Sequence, residues 1–155
     1  MATTRELRDI VEPVVVEWLE KQFGTIFVRD RALQIGTKHD GTAARHRFDA
    51  VSLDASGSPA IVAEVTTHSG KTSGGKGPNG KVDGTYRDLY PLSLVTAPVR
   101  IMVLTDPAFS QYLTERSDGK VAPGISMVFC GLPADVQQRV SSVQGRSSRE
   151  MGADQ

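Results

Sequence analysis

The sequence has one cysteine, no excess of either charge and no long apolar run. Its single cysteine, Cys130, excludes an internal disulfide and a cysteine-rich zinc site. Lysine and arginine number 18, as do aspartate and glutamate. A neutral chain is not a generic coat for nucleic acid, because such a protein would be clearly basic. An enzyme with one local basic surface remains compatible with this composition.

The absence of long apolar runs predicts where the protein is located in the cell. No run approaches the roughly 20 residues of a membrane-spanning helix, and no signal peptide opens the chain. We therefore expect a cytoplasmic protein without a membrane partner. Its 155 residues, 39% hydrophobic and 23% charged, are typical of one soluble domain. We place this domain at residues 1–143 and expect the polar tail, 144–155, to be disordered.

Hydrophobic periodicity predicts nine secondary-structure elements. An amphipathic helix over residues 3–23 comes first. Three strands follow at 25–35, 46–53 and 60–67, and the short loops between them favour an antiparallel meander. The remaining elements are predicted as a helix at 82–94, a strand at 99–104, a helix at 106–115, a strand at 125–130 and a helix at 134–143. The order α-β-β-β-α-β-α-β-α indicates an α/β fold with a central mixed sheet flanked by helices.

Two acidic residues stand inside strands that are otherwise apolar. Asp49 belongs to the second predicted strand, and Glu64 belongs to the third. A buried carboxylate needs an ion pair or a metal, whereas an exposed one needs neither. Across a hairpin the two can face each other, and a divalent cation such as Mg²⁺ removes their repulsion. The pair therefore predicts a metal site, with two coincidental exposed acids as the alternative.

Phe48-Asp49, fourteen intervening residues and Glu64-Val65-Thr66 resemble the PD-(D/E)xK nuclease superfamily in this order of elements. The resemblance covers about residues 5–105. It implies a restriction-endonuclease-like fold and Mg²⁺- or Mn²⁺-dependent hydrolysis of phosphodiester bonds, with DNA as the expected substrate. It also implies that Asp49 and Glu64 bind the cation, with the Val65 carbonyl as a third ligand.

The resemblance carries two further expectations. The family's first helix often brings a glutamate to the metal site, and Glu17 matches that residue best, so we expect it to assist catalysis. Glu12 and Glu20 are expected to be solvated. Cutting both strands of a duplex needs two active sites, which makes a homodimer plausible.

Thr66 departs from the family, because it occupies the position of the motif lysine. A threonine cannot supply the positive charge that steadies the scissile phosphate. Either Lys81 or Lys71 supplies that charge as a catalytic residue, or the chain is an inactive nuclease-fold domain that binds protein or nucleic acid. His68 shares a strand face with Glu64 and Thr66, so it is a candidate base or ligand, with a structural role as the alternative.

Residues 70–77 are rich in glycine and lysine. They meet the form G-x-x-x-x-G-K, but Gly77 replaces the serine or threonine that would hold magnesium, so nucleotide hydrolysis is disfavoured. We expect a basic loop that contacts the nucleic-acid backbone, with an inert loop as the alternative. The predicted substrate contacts are Thr66, His68, Lys76 and Arg87.

Overall fold

The computed structural model describes residues 2–69 and 79–153, with side chains for 5–69 and 79–146. In this part of the chain nine elements follow one another in the predicted order, which confirms an α/β fold. They are α1 (Ala2–Phe23), β1 (Val28–Thr37), β2 (Ala43–Leu53), β3 (Pro59–Thr66), α2 (Asn79–Leu94), β4 (Val99–Leu104), α3 (Pro107–Ser117), β5 (Ile125–Phe129) and α4 (Ala134–Ala153). No described helix is long and apolar enough to cross a membrane.

The strands form one mixed sheet in the order β1-β2-β3-β4-β5. β1, β2 and β3 are an antiparallel meander, as predicted, and β3, β4 and β5 are parallel neighbours. The tight turn between β2 and β3 is built on Asp54, whose Oδ1 accepts the backbone N–H groups of Ser56 and Ser58. Parallel strands need crossover connections, which α2 and α3 supply.

Helices cover both faces of the sheet. Successive residues of a strand point to opposite faces, so Ile61 and Ala63 pack under α1 and α4, whereas Val62 packs with α2 and α3. The helices contribute apolar stripes, such as Val11, Val15 and Leu19 of α1, which are fully buried. Two hydrophobic layers therefore hold the sheet between them.

Several element boundaries differ from the prediction, most clearly in α4. This helix runs to Ala153, past the predicted end at Val143 and into the segment expected to be disordered. Tertiary contacts explain the extension. The Gln144 side-chain amide donates to the Thr67 carbonyl at 2.9 Å, and Arg146 pairs with Glu6 of α1 at 2.8 Å. Neither contact is visible in local sequence.

The start of β1 is also later than predicted. Phe27 is not yet in the strand, because its N–H donates to the carboxylate of Glu20 at 3.1 Å. Glu20 was expected in solvent, and it is instead a half-buried residue that fixes the entry to the sheet.

β2 loses its regular alternation next to Asp49. Phe48 and Val51 both pack in the layer under α2 and α3, although residues three apart in a regular strand face opposite sides. The opposing residue of β1 is Asp30, which has a φ of 54°. This left-handed conformation is uncommon outside glycine, and Asp and Asn tolerate it best. As a result Asp49 and Ala50, although consecutive, both lie on the α1 side.

Leu92 and Leu94 of α2 offer a matched test of this packing. Leu92 is 0% exposed and Leu94 is 41% exposed. We expect Leu92→Ala to lower the free energy of unfolding by about 2–5 kcal/mol, because it leaves a cavity in the core. Leu94→Ala should lower it by less than about 1 kcal/mol. Urea unfolding of both variants measures the difference, and equal losses would contradict the described orientation of α2.

Candidate metal site

Asp49 and Glu64 meet where β2 separates from β3. The ladder between these strands ends at Ala50 and Ala63, and the next position in register places Asp49 opposite Glu64. Val65 then donates its N–H to Asp49 Oδ2 at 2.8 Å, rather than to the backbone of β2. A strand residue directs its N–H and C=O to the same side, so the Val65 carbonyl also points toward this opening. The three predicted ligands are thus brought together.

Glu64 is buried and incompletely paired. Its side chain is 11% exposed, and its Oε1 accepts no hydrogen bond among the described residues. His46 Nε2 lies 3.3 Å from this oxygen, without the alignment of a hydrogen bond. Burial, followed by the charge of Asp49 and the contact with it, raises the pKa of Glu64 to about 10. Without a cation, Glu64 is therefore protonated at neutral pH.

Asp49 is held in a more balanced environment. Burial raises the pKa of Asp49 to about 6, against the hydrogen bond from Val65 and the charge of Arg8, which lower it. The Arg8 guanidinium lies 3.5 Å from Oδ1. The two carboxyl groups therefore differ at neutral pH, where Asp49 is largely ionised and Glu64 keeps its proton.

Glu12, not Glu17, is the glutamate of α1 that reaches this site. Glu12 is 4% exposed, lines the cavity beside Asp49, and accepts from Arg8 and Arg29 at 2.8 Å each. Burial opposes ionisation, but the two arginine hydrogen bonds outweigh it and lower the pKa of Glu12. Glu17 lies outside the site, because its side chain is 69% exposed and pairs with Lys21. The expectation that Glu12 is solvated is wrong.

A cavity of about 390 Å³ opens onto the carboxylate pair. Two of the predicted substrate contacts, Thr66 and His68, line it. Thr66 is buried, and its hydroxyl accepts the His68 N–H at 3.4 Å. Burial and the nearby Lys81 lower the pKa of His68, so the imidazole is neutral at pH 7. Its ring also packs edge-on against Phe109, which fixes its orientation.

Two of the predicted cations, Lys81 and Arg87, are not brought to the cavity. The ammonium of Lys81 donates to the backbone and hydroxyl oxygens of Ser69, and Arg87 is exposed on α2. Neither belongs to the cavity lining. Lys71 and Lys76 lie outside the described residues, together with the G-x-x-x-x-G-K segment.

Two arginines that the sequence did not single out line the cavity instead. Arg8 comes from α1, one helical turn before Glu12, and Arg47 comes from β2, two residues before Asp49. The sequence signal for both is spacing. Residues four apart on a helix and two apart on a strand share a face, so each arginine accompanies an acid of the site.

The donor atoms fit a hard divalent cation. Two carboxylates and a backbone carbonyl supply oxygen alone, which magnesium and manganese accept. Oε1 of Glu64 accepts no hydrogen bond within the described part of the chain. Among the described residues, no three His, Cys, Asp or Glu side chains are grouped for a metal. Water and phosphate oxygens would have to complete the coordination, as is usual for magnesium.

Comparisons with known proteins do not assign the chain to a family. It matches no protein-family model, no curated protein and no solved structure. The chemistry of the site is therefore argued from the residues of this chain.

Glu64 also predicts how stability depends on pH. The raised pKa means that folded Glu64 keeps its proton from about pH 4.5 to about pH 10, whereas the unfolded chain loses it. Stability should therefore fall as pH rises through this window, at no more than about 1.4 kcal/mol per pH unit. Glu64→Gln removes this contribution, so the variant should gain on the wild type between pH 5 and pH 9.

Urea unfolding at several pH values tests this expectation. Glu115→Gln is the control, because Glu115 is exposed on α3. Its difference from the wild type should stay flat with pH. A flat difference for Glu64→Gln as well would refute the protonated state of Glu64.

Proposed function

We propose that this chain is a divalent-cation-dependent nuclease of restriction-endonuclease-like fold that hydrolyses phosphodiester bonds in DNA. The observation that carries the proposal is the contact between Asp49 and Glu64, where one buried oxygen of Glu64 accepts no hydrogen bond from the described part of the chain. Two carboxyl groups in contact are unfavourable unless one is protonated or a cation lies between them. The order of the first six elements, with the acids on the second and third strands, supports the same family.

Under this proposal each group has a defined role. Asp49, Glu64 and the Val65 carbonyl would hold Mg²⁺ or Mn²⁺, and Glu64 would give up its proton as the cation binds. The cation would supply a Lewis acid that activates water and neutralises charge on the phosphate. Homodimerisation for cutting both strands of a duplex stays a prediction.

Arg8 is our candidate for the charge that Thr66 cannot provide. Its guanidinium lies in the cavity beside Asp49, and Glu12 holds it there through a 2.8 Å ion pair. A guanidinium can donate two parallel hydrogen bonds to a phosphate. Lys81 fits this role less well, because its ammonium donates to the Ser69 carbonyl. Lys71 remains a prediction from the sequence.

An inactive nuclease-fold domain that binds protein or nucleic acid is the second candidate. Thr66 favours it, because a buried uncharged residue stands where the family has lysine. The contact between Arg8 and Asp49 also favours it, since it gives this carboxylate a partner without any cation. The two candidates differ in whether a cation binds and whether DNA is cut.

Cation binding and cutting depend on the same pair of acids in our proposal. We expect calorimetry to detect Mn²⁺ binding at micromolar to millimolar strength in the wild type and not in Asp49→Ala. Binding should release protons, because Glu64 must ionise. Asp49→Ala and Glu64→Ala should each lose more cutting than the roughly 10–100-fold that removal of an outer-shell partner costs.

Asp83→Ala serves as the matched control, because Asp83 is exposed on α2. It should bind Mn²⁺ and cut DNA as the wild type does. Retained cutting in both Asp49→Ala and Glu64→Ala would contradict the nuclease assignment, and a wild type that binds no cation would favour the inactive domain.

The variants Arg8→Gln and Lys81→Gln test which of the two side chains supplies the positive charge. If Arg8 contacts the phosphate, Arg8→Gln should slow cutting by about 100- to 1,000-fold, the usual loss for a group that stabilises transition-state charge. Its Mn²⁺ binding should persist. Lys81→Gln should change cutting only a few-fold. A larger loss in Lys81→Gln than in Arg8→Gln would return the role to the lysine.

A further inference from the structure

The β1–β2 hairpin extends past the rest of the sheet. β2 pairs with β3 only from Ala50 onward, so residues 43–49 have β1 as their single described strand partner. At its tip the chain reverses through a turn closed by the Lys38 N–H and the Thr42 carbonyl at 2.8 Å. The hairpin is therefore a two-stranded ribbon whose base is the carboxylate site.

This ribbon is basic in a chain of zero net charge. Residues 31–47 include four cations and one acid, Asp40. The four exposed cations are Arg31, Lys38, Arg45 and Arg47. The Asp40 carboxylate lies in the turn at the tip, where it accepts from the backbone and hydroxyl of Thr42. Among the described residues, no carboxylate pairs with Arg31, Lys38 or Arg45.

Two of these arginines form a row that leads to the site. Alternate residues of a strand share a face about 7 Å apart, which aligns Arg45, Arg47 and Asp49. The residues between them point the other way, where Phe48 is fully buried under α2. Across the ribbon, Gln34 and Ala32 lie opposite Arg45 and Arg47. The nearest carboxylate to Arg47 is that of Asp30, at 3.8 Å.

The end of the row nearest the site is held in place. Arg47 donates to the Asp30 carbonyl at 3.0 Å and lines the cavity. Arg8 joins the row from α1, beside Asp49. We call Arg45, Arg47 and Arg8 the basic row.

We propose that the basic row binds the sugar–phosphate backbone of a nucleic-acid strand laid along the hairpin. A strand carries a negative charge at every nucleotide, so one strand can meet successive arginines of an extended ribbon. Arginine matches phosphate geometry better than lysine does. The inference rests on the proposed function, because the row ends at the site where a phosphodiester bond would be cut.

The test measures binding apart from cutting. Fluorescence anisotropy follows a labelled single strand of about 20 nucleotides, as DNA and as RNA, and the DNA duplex, with salt varied over about 50–200 mM. A chelator removes divalent cations throughout, and every protein carries Asp49→Asn, so that no strand is cut. Arg45→Gln/Arg47→Gln tests the row and leaves Arg8 intact.

A charge-matched variant is the control. Arg116→Gln/Lys120→Gln removes two exposed cations at the end of α3, on the other face of the sheet. We expect the row variant to bind at least about tenfold more weakly at low salt. The slope of log affinity against log salt should shrink by about 0.7 per lost contact on a single strand, or 0.9 on a duplex. The control should match its parent.

Two results would overturn the inference. One is a parent protein that binds neither DNA nor RNA, and the other is equal loss of binding in the row variant and the control. Failure of the nuclease proposal looks different. If the chain binds no Mn²⁺ but still binds a strand through Arg45 and Arg47, the inference stands and the nuclease proposal fails. Tighter binding to RNA than to DNA would name RNA as the strand.

Discussion

The contact between the carboxyl groups of Asp49 and Glu64 constrains the rest of the site. Among the ionisable groups around this contact are the acids Glu12, Asp49 and Glu64 and the bases Arg8 and Arg29. The two arginines balance the charge of two of these acids, and both arginines pair with Glu12 at 2.8 Å. Among the described residues no cation is hydrogen-bonded to Glu64 Oε1, and the pKa of Glu64 is raised, so a proton compensates the remaining negative charge. A divalent cation can replace that proton, and this exchange makes the pair a candidate metal site.

Such a contact requires the sheet to open. In a regular hairpin the backbone of β2 would satisfy the Val65 N–H, but here the Asp49 side chain accepts it. The strand irregularity, with Asp30 in a left-handed conformation, puts Asp49 on the α1 side beside Arg8. Glu64 points toward the α2 side, where His46 and Asp88 lie. The two carboxyl groups therefore meet in the gap between β2 and β3, and each has different charged neighbours.

The sequence predicted the order of elements and the pairing of Asp49 with Glu64, because period-two patterning and short turns are local signals. It misassigned the glutamate of α1. Glu17 follows the apolar stripe. Glu12 is buried between Arg8, which has the local i,i+4 spacing, and Arg29, which arrives from β1 as a contact with no local signature. The length of α4 depends in the same way on Glu6 and Thr67. Membership of the restriction-endonuclease-like class goes beyond these observations and stays a proposal.

The zero net charge of the chain conceals a separation of charge that couples its two proposed ligands. The cavity is lined by the acids Glu12, Asp30, Asp49, Glu64 and Asp88 together with Arg8 and Arg47. The ionised acids among them repel a phosphate, while the neighbouring ribbon attracts one. A cation bound between Asp49 and Glu64 would reduce this repulsion at the end of the basic row. Each ligand would then strengthen binding of the other by the same factor, because coupling free energies are reciprocal. Under these two proposals a neutral protein would bind a polyanion locally, and it would bind the phosphate nearest the acids most tightly when the cation is present.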